Sequence, residues 1–499
     1  MLRLKGIHDP LLDHPGWRQG DTAAIARNFA TLDPNPLHPQ TDYDGPPPNY
    51  VELELQIVPF LAALLYKLFG VHEIFGRLLS IGFGLGTIVV AGRLAGFVFR
   101  SALAGITAAA TYAILPGAVY YSRTFMPDTA MVFFLTLAVL AFARYLSSER
   151  EADVRGAWVP AVLGAVAILA KPVALVLLVP VLAMWLAREG PRRLLARPPL
   201  YVALAVMLVP LVLYDRAVGS IAEWHWASGI TKLHVIPDLL FALHDPAHLV
   251  LKLRRFAGAI GLLRATMIGL PLLVLFGVAI VVPQPRRARP LLFGWLAGAV
   301  LYAFVVVTVE RVDYYLYLVL PLAAIWIGGA VARTAALLPA VRAPRIASAV
   351  VAAVALLAIE RSNARALAPY YVYDKSVYRS ARALSASLPP GALVVMGHYD
   401  PSILYYIDRK GWEEDPYLWT PFDEQSAIRK GARSFIAIER NRLQRNVELA
   451  AWLERFPITN ADAKWPVYRT DPALEIAGAE TRWRRFRDLE RAGRLPAPP

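Results

Sequence analysis

Long apolar stretches recur along this chain from about residue 76 to residue 360, broken by short polar connections. They predict membrane spans near 76–92, 102–121, 129–146, 157–170, 172–187, 199–214, 259–282, 290–309, 314–332 and 345–359. Only Lys171-Pro172 separates two of them. Proline disfavours a straight helix through that point, so the pair reads as one kinked element or as a tight helical hairpin. Ile57–Val71 (IVPFLAALLYKLFGV) is shorter than the roughly 20 residues a spanning helix needs. It is expected to lie along the membrane surface.

Every second connection between spans is basic. Arg93 and Arg100 occupy one; Arg144, Arg150 and Arg155 the next; then Arg188, Arg192, Arg193 and Arg197; then Arg286, Arg287 and Arg289; then Arg333, Arg342 and Arg345. Basic loops stay in the cytoplasm. The loops around 123–128, Lys171, 215–258 and 310–313 are then expected outside, with residues 1–75 and the region after about 362. A polar segment outside calls for a hydrophobic helix ahead of it, so a first span missing upstream of Met1 is expected. The last 140 or so residues differ in kind. Strand-like runs at Ala392–Met396 and Ser434–Ile438 alternate with a helical pattern at Leu443–Phe456, which predicts a small α/β domain. The expected architecture is an all-α polytopic membrane protein of about 10–11 transmembrane helices with a small soluble α/β domain. Its divisions fall at 1–75, 76–360 and 361–499.

Composition supports the membrane reading: 57% of the 499 residues are hydrophobic and only 18% charged. The net charge of +14 follows from the basic loops and favours anionic lipid, and the chain carries no nucleic-acid motif. With no cysteine, thiolate chemistry and disulfides are excluded. The chemistry must come from other groups. Asp21 lies in GWRQGDTAAIARNF with Arg18 and Gln19, and its plainer reading is an N-cap or first-turn carboxylate. Asp128 opens a span in SRTFMPDTAMVFF, five residues after Arg123, and acids at helix starts are common. Glu52 and Glu54 in YVELELQIVP share a side if extended, or are solvated rim charges. Lys171, between AVAILA and PVALVLLVP, is placed to hold a phosphate or to snorkel.

Two acids and a few cations on one face suit group transfer from a lipid phosphate. A carboxylate takes the acceptor's proton while cations stabilise the leaving phosphate. A transporter or flippase of lipid-linked sugars is the rival reading. It predicts internal pseudo-symmetry and ionisable groups near mid-membrane, neither of which is evident. A non-catalytic assembly protein working through its α/β domain is a third.

WRQGDTAAIARNF, YVELELQIVPFLAALLYKLFGVHEIFGRLLS and YYSRTFMPDTAMVFF, in this order, resemble the signatures of the GT-C glycosyltransferases. The likeness is to the dolichyl-phosphate-mannose–protein mannosyltransferase type, glycosyltransferase family 39, and to the lipid A aminoarabinose transferases. It covers roughly residues 3–360. The resemblance implies Asp21 and Asp128 as catalytic acids and Lys171 as the contact to the carrier phosphate. Arg18 and Arg123 are secondary candidates for that contact, and Gln19, Glu52 and Glu54 are expected to bind substrate. It further implies an inverting transfer in a bacterial inner membrane, on its extracytoplasmic face. The donor would be a polyprenyl-phosphate sugar and the acceptor a lipid, glycan or protein. No cofactor is required by these residues; a divalent cation, magnesium or manganese, remains an alternative role for the acids. Gly20-Asp21-Thr22 lacks the paired Asp-Glu of protein mannosyltransferases, which favours lipid or glycan acceptors.

Overall fold

A computed structural model describes residues 2–148, 153–337, 359, 361, 363–460 and 464–493. The expected span at 345–359 lies outside the described residues except for Ile359, as do Arg150, Arg342 and Arg345. The chain forms two compact units: a helical one made of Met1–His8 with Glu52–Tyr371, and an α/β one made of Asp9–Val51 with Val372–Pro499.

In the helical unit, six helices among the described residues are long and apolar enough to cross a membrane: Ile74–Phe99, Asp128–Leu146, Pro172–Glu189, Pro198–Gly219, Arg289–Glu310 and Asp313–Leu337. Four shorter apolar helices accompany them: Ile57–Phe69, Ala102–Ile114, Val154–Ala170 and Leu270–Val281. The Asp313–Leu337 helix is 83% buried in its apolar stretch, against 22% for Pro198–Gly219. The first is therefore central, and the second leaves most of its side chains for lipid. Without a hydrophobic drive between helices in lipid, close approach through small residues holds them together. A Cβ on Gly92 would meet the Gly105 carbonyl at 3.0 Å, and one on Gly328 would meet the Ala104 carbonyl at 2.4 Å.

The Lys171-Pro172 junction is a true break. Lys171 is extended (φ −165°, ψ 124°), as a residue before proline prefers, and its N–H still closes the preceding helix on the Ala167 carbonyl at 3.1 Å. Val154–Ala170 packs on Asp128–Leu146, and Leu178–Glu189 packs on Arg289–Tyr302.

The α/β unit carries a five-stranded sheet. Leu393–Met396 lies at the parallel centre between Lys410–Glu413 and Ala432–Ile436, and short antiparallel strands Val467–Tyr468 and Ile458–Thr459 complete it. The two strands expected from the sequence lie within a residue or two of their predicted places. The predicted helix at 443–456 is instead two, Arg440–Arg445 and Val447–Leu453, because Asn446 caps the second one by accepting from the Leu449 N–H at 3.1 Å.

Residues 9–51 belong to this unit through charge and close packing. Asp42, 1% exposed, receives Arg27, Lys410 (2.9 Å) and Asn28 (3.1 Å). Arg27 also reaches Asp408 at 2.6 Å and lies over the Tyr405 ring. Helix Gly16–Thr31 packs on Pro401–Ile407 so closely that a Cβ on Gly20 would stand 2.5 Å from Ser402 Cα and 2.8 Å from its backbone nitrogen. Gly20→Ala should therefore destabilise the α/β unit by about 1–3 kcal/mol, the usual cost of overpacking. A lowered unfolding temperature with faster proteolysis of this unit would show it; an unchanged one would refute the contact.

Candidate active site

Each unit holds a buried carboxyl group that the sequence singles out. In the α/β unit, Asp21 is 4% exposed in the second turn of Gly16–Thr31. It is not a cap: the helix starts at Gly16, with Pro15 at the cap position. Its Oδ1 is buried with no hydrogen-bond partner among the described residues. Burial raises its pKa to about 7; Arg18 and the Tyr43 hydroxyl oppose the shift, while Asp400 and Asp42 add to it. Arg18 is thus the cation beside Asp21, itself only 8% exposed. Gln19 is fully buried and donates to the Asp13 carboxylate at 2.8 Å and to its carbonyl at 3.2 Å, so it braces the loop ahead of the helix.

A further acid joins this group that no sequence pattern marks. Glu413, at the end of strand Lys410–Glu413, has a buried Oε2 without a hydrogen-bond partner among the described residues. Burial, and then the neighbouring carboxylates of Asp21, Asp44, Asp400 and Glu414, hold its pKa well above the usual range. Nearly 400 residues separate it from Asp21 in sequence, so only the sheet's placement reveals it.

In the helical unit, Asp128 and Lys171 meet. Asp128 is the first residue of Asp128–Leu146, where the helix dipole favours a negative charge. Lys171 Nζ lies 2.7 Å from its Oδ1, and both residues are nearly completely buried. The ammonium also lies over the rings of Tyr314 (5.1 Å) and Tyr315 (4.9 Å). Lys171 therefore does not snorkel: the extended backbone before Pro172 turns it inward. The second carboxylate oxygen of Asp128 is buried and has no hydrogen-bond partner among the described residues, which leaves an acceptor position beside the ion pair.

Arg123 is fully buried, its guanidinium between the Tyr120 and Tyr371 rings (4.9 and 4.6 Å), with Nη1 donating to the Gly6 carbonyl at 3.3 Å. Arg77, which the sequence did not single out, donates to the same carbonyl at 2.5 Å. Glu52 and Glu54 are not rim charges, being 3% and 6% exposed. Glu52 accepts from the Ser228 N–H at 3.0 Å, and His225 Nδ1 lies 4.0 Å away. Burial raises the pKa of Glu52, Ser228 lowers it, and the Asp215 carboxyl beside it raises it again. The Glu54 carbonyl accepts from the Tyr214 hydroxyl at 3.1 Å and from Gln56 at 2.7 Å. Asp313, also unmarked in the sequence, accepts from Tyr121 (2.5 Å), Tyr370 (2.6 Å) and Thr266 (2.9 Å). Among the described residues no three histidine, aspartate or glutamate side chains are grouped so as to hold a metal ion.

Comparison with known proteins bears on what these groups do. The family profile of the dolichyl-phosphate-mannose-protein mannosyltransferases matches residues 56–214, a stretch that contains Arg123, Asp128 and Lys171. The structure of ArnT from Cupriavidus metallidurans bound to undecaprenyl phosphate superposes with a TM-score of 0.59. The superposition covers 95% of this chain and 97% of that one at 16% identity. The chain has the fold of the GT-C membrane glycosyltransferases. The archaeal oligosaccharyltransferase AglB from Archaeoglobus fulgidus, in complex with an inhibitory peptide and a dolichol-phosphate, is similar too, with a TM-score of 0.54. There 95% of this chain and 74% of that one align at 12% identity. No curated protein sequence matches. With this fold and six apolar helices of spanning length among the described residues, the chain is a multi-pass membrane protein with a small sheet-bearing unit, as its hydropathy pattern and its strand-like runs predict.

The ion pair makes a stability prediction. Lys171→Met leaves Asp128 buried without a counter-charge and should cost about 3–5 kcal/mol, whereas Lys171→Met with Asp128→Leu should recover most of that loss. Unfolding of the purified variants in detergent would measure both. Equal destabilisation by the single and double variants would show that the pair is not coupled.

Proposed function

We propose that this protein transfers a sugar from a polyprenyl-phosphate carrier to a lipid or glycan acceptor at the extracytoplasmic side of a bacterial inner membrane. The observation that carries the reading is Asp21: a carboxyl held out of water, with one oxygen unpartnered among the described residues and a pKa of about 7. A general base works best when its pKa lies near the working pH, and burial gives Asp21 that property. In this proposal Asp21 takes the proton from the acceptor hydroxyl or amine as that atom attacks the anomeric carbon. The carbon's bond to the phosphate oxygen breaks, the polyprenyl phosphate leaves, and the configuration inverts. Arg18 beside Asp21 favours the ionised base. In the helical unit, Lys171 stabilises charge on the leaving phosphate, and the open oxygen of Asp128 orients the acceptor. This transfer balances without a divalent cation at these acids.

Support for the donor comes from the company the fold keeps, since the ArnT structure is bound to undecaprenyl phosphate and the AglB structure is in complex with a dolichol-phosphate. A flippase of lipid-linked sugars is the alternative, and the buried acid tuned to neutral pH favours chemistry over it.

Purified protein incubated with radiolabelled polyprenyl-phosphate sugars and membrane lipid tests the reading. Asp21→Asn should abolish transfer while leaving folding and membrane insertion intact; full activity in that variant would sink the assignment. The wild-type rate should rise as pH increases through about 7, because the base acts only when ionised. Stability should run the other way. The folded state binds the Asp21 proton more tightly than the unfolded state does, so stability falls between the ordinary 3.8 and about 7, and Asp21→Asn should flatten that slope.

A further inference from the structure

The connection that follows the Pro198–Gly219 helix contains a helical hairpin built inside out. Its first limb runs through Ile230–Val235 and Ile236–His244, and its second is Pro246–Leu262. A hairpin resting on a protein in water buries its leucines and exposes its charges. Here one charged cluster is turned inside, while Lys232 and Arg254 remain exposed. Lys252 is completely buried. It pairs with Asp238 and donates to the Thr308 hydroxyl at 2.8 Å, which ties both limbs to the end of the Arg289–Glu310 helix. Asp238 also holds His248 at 2.8 Å and lies 3.5 Å from Arg255. The opposite face is mostly apolar and open: Leu233 is 74% exposed and Leu243 72%, with Ile236, Leu240, Phe241, Val250 and Leu253 exposed around them.

Such a face requires a cover. Neither limb crosses a bilayer, since the 17 residues of the second rise about 26 Å and carry Lys252, Arg254 and Arg255. The helices on either side of the hairpin do present apolar side chains outward: Leu213 and Val209 before it, Val274, Val278 and Val281 after it. The hairpin's open face therefore continues, along the chain, the surface that those helices give to lipid. Exposed Trp224 and Trp226 stand just ahead of it, the amphipathic residue type that concentrates at membrane–water boundaries.

We propose that this hairpin lies in the plane of one leaflet, its Leu–Ile–Phe face among acyl chains and its Asp238–Lys252–Thr308 clasp turned to the protein. Binding of this kind buries an apolar face about 5–10 Å deep at the headgroup boundary. The clasp favours this orientation, because it pairs Asp238, His248 and Lys252 on the side away from lipid, while the exposed Lys232 and Arg254 suit the headgroup boundary. The proposal concerns location and stands apart from the glycosyltransferase reading.

The native chain has no cysteine, so single-cysteine variants carry an unambiguous label. Leu243→Cys and Leu253→Cys would each be labelled with an environment-sensitive fluorophore and reconstituted in phosphatidylcholine vesicles with brominated acyl chains. Val278→Cys serves as the lipid-facing reference and Lys430→Cys as the water-facing one. Both hairpin labels should be quenched to within about twofold of the Val278 label, and more by bromine near the headgroup than by bromine at the chain end. Quenching no greater than at Lys430 would overturn the proposal. Blue-shifted emission without quenching would also overturn it and point to a second copy or another protein on this face, and stronger quenching from the chain ends would refute the in-plane placement. The two positions on separate limbs are read independently, so a misfolded variant does not leave the question open.

Discussion

A charge removed from water must be met by another charge or by hydrogen bonds, or it must give up its ionisation. Most of what is specific in this protein follows from that constraint. Asp128 and Lys171 satisfy it in the helical unit by pairing at a helix start and a helix break. Asp238 and Lys252 satisfy it at the hairpin. In the α/β unit, burial pushes the Asp42 carboxyl up, but Arg27 and Lys410 more than offset this and hold it below the usual range. Asp21 and Glu413 do not satisfy it fully. For Asp21 the neighbours do not offset burial, and its proton is held to about pH 7. A site that tolerates this mismatch gains a group of adjustable charge, a property expected of catalytic acids and bases and uncommon in purely structural ones.

The two units differ in the buried groups they hold. The helical unit supplies cations and aromatic faces: Lys171 over Tyr314 and Tyr315, and Arg123 between Tyr120 and Tyr371. The α/β unit supplies carboxyl groups, with Asp21 among the neighbours that raise the cost of ionising Glu413. The likeness to ArnT and AglB extends over 95% of the chain in each case, so it takes in both units and not the membrane helices alone.

Small residues matter as much as charged ones. Glycines at 92, 105 and 328 let membrane helices touch backbone to backbone, where apolar side chains alone give no preference for protein over lipid. Gly20 does the same in the α/β unit, bringing the helix that carries Asp21 against Ser402. The position of Asp21 therefore depends on the absence of a side chain one residue before it.

Local pattern is enough for the membrane class, for six of the expected spans and for the two central strands, because hydropathy and alternation are properties of consecutive residues. The motifs around Asp21, Asp128 and Lys171 made the fold family legible as well. Tertiary structure alone decided the partners. Lys171 pairs with an acid 43 residues earlier, and Glu413 stands near an acid at the other end of the chain. Residues 9–51 fold with 372–499, across the whole helical unit in sequence. Periodicity marks the leucines of the hairpin as apolar, yet it cannot say which face they cover, because that depends on where Thr308 meets Lys252. Such pairings rest on distance in space between residues far apart in the chain, and no local pattern records that distance.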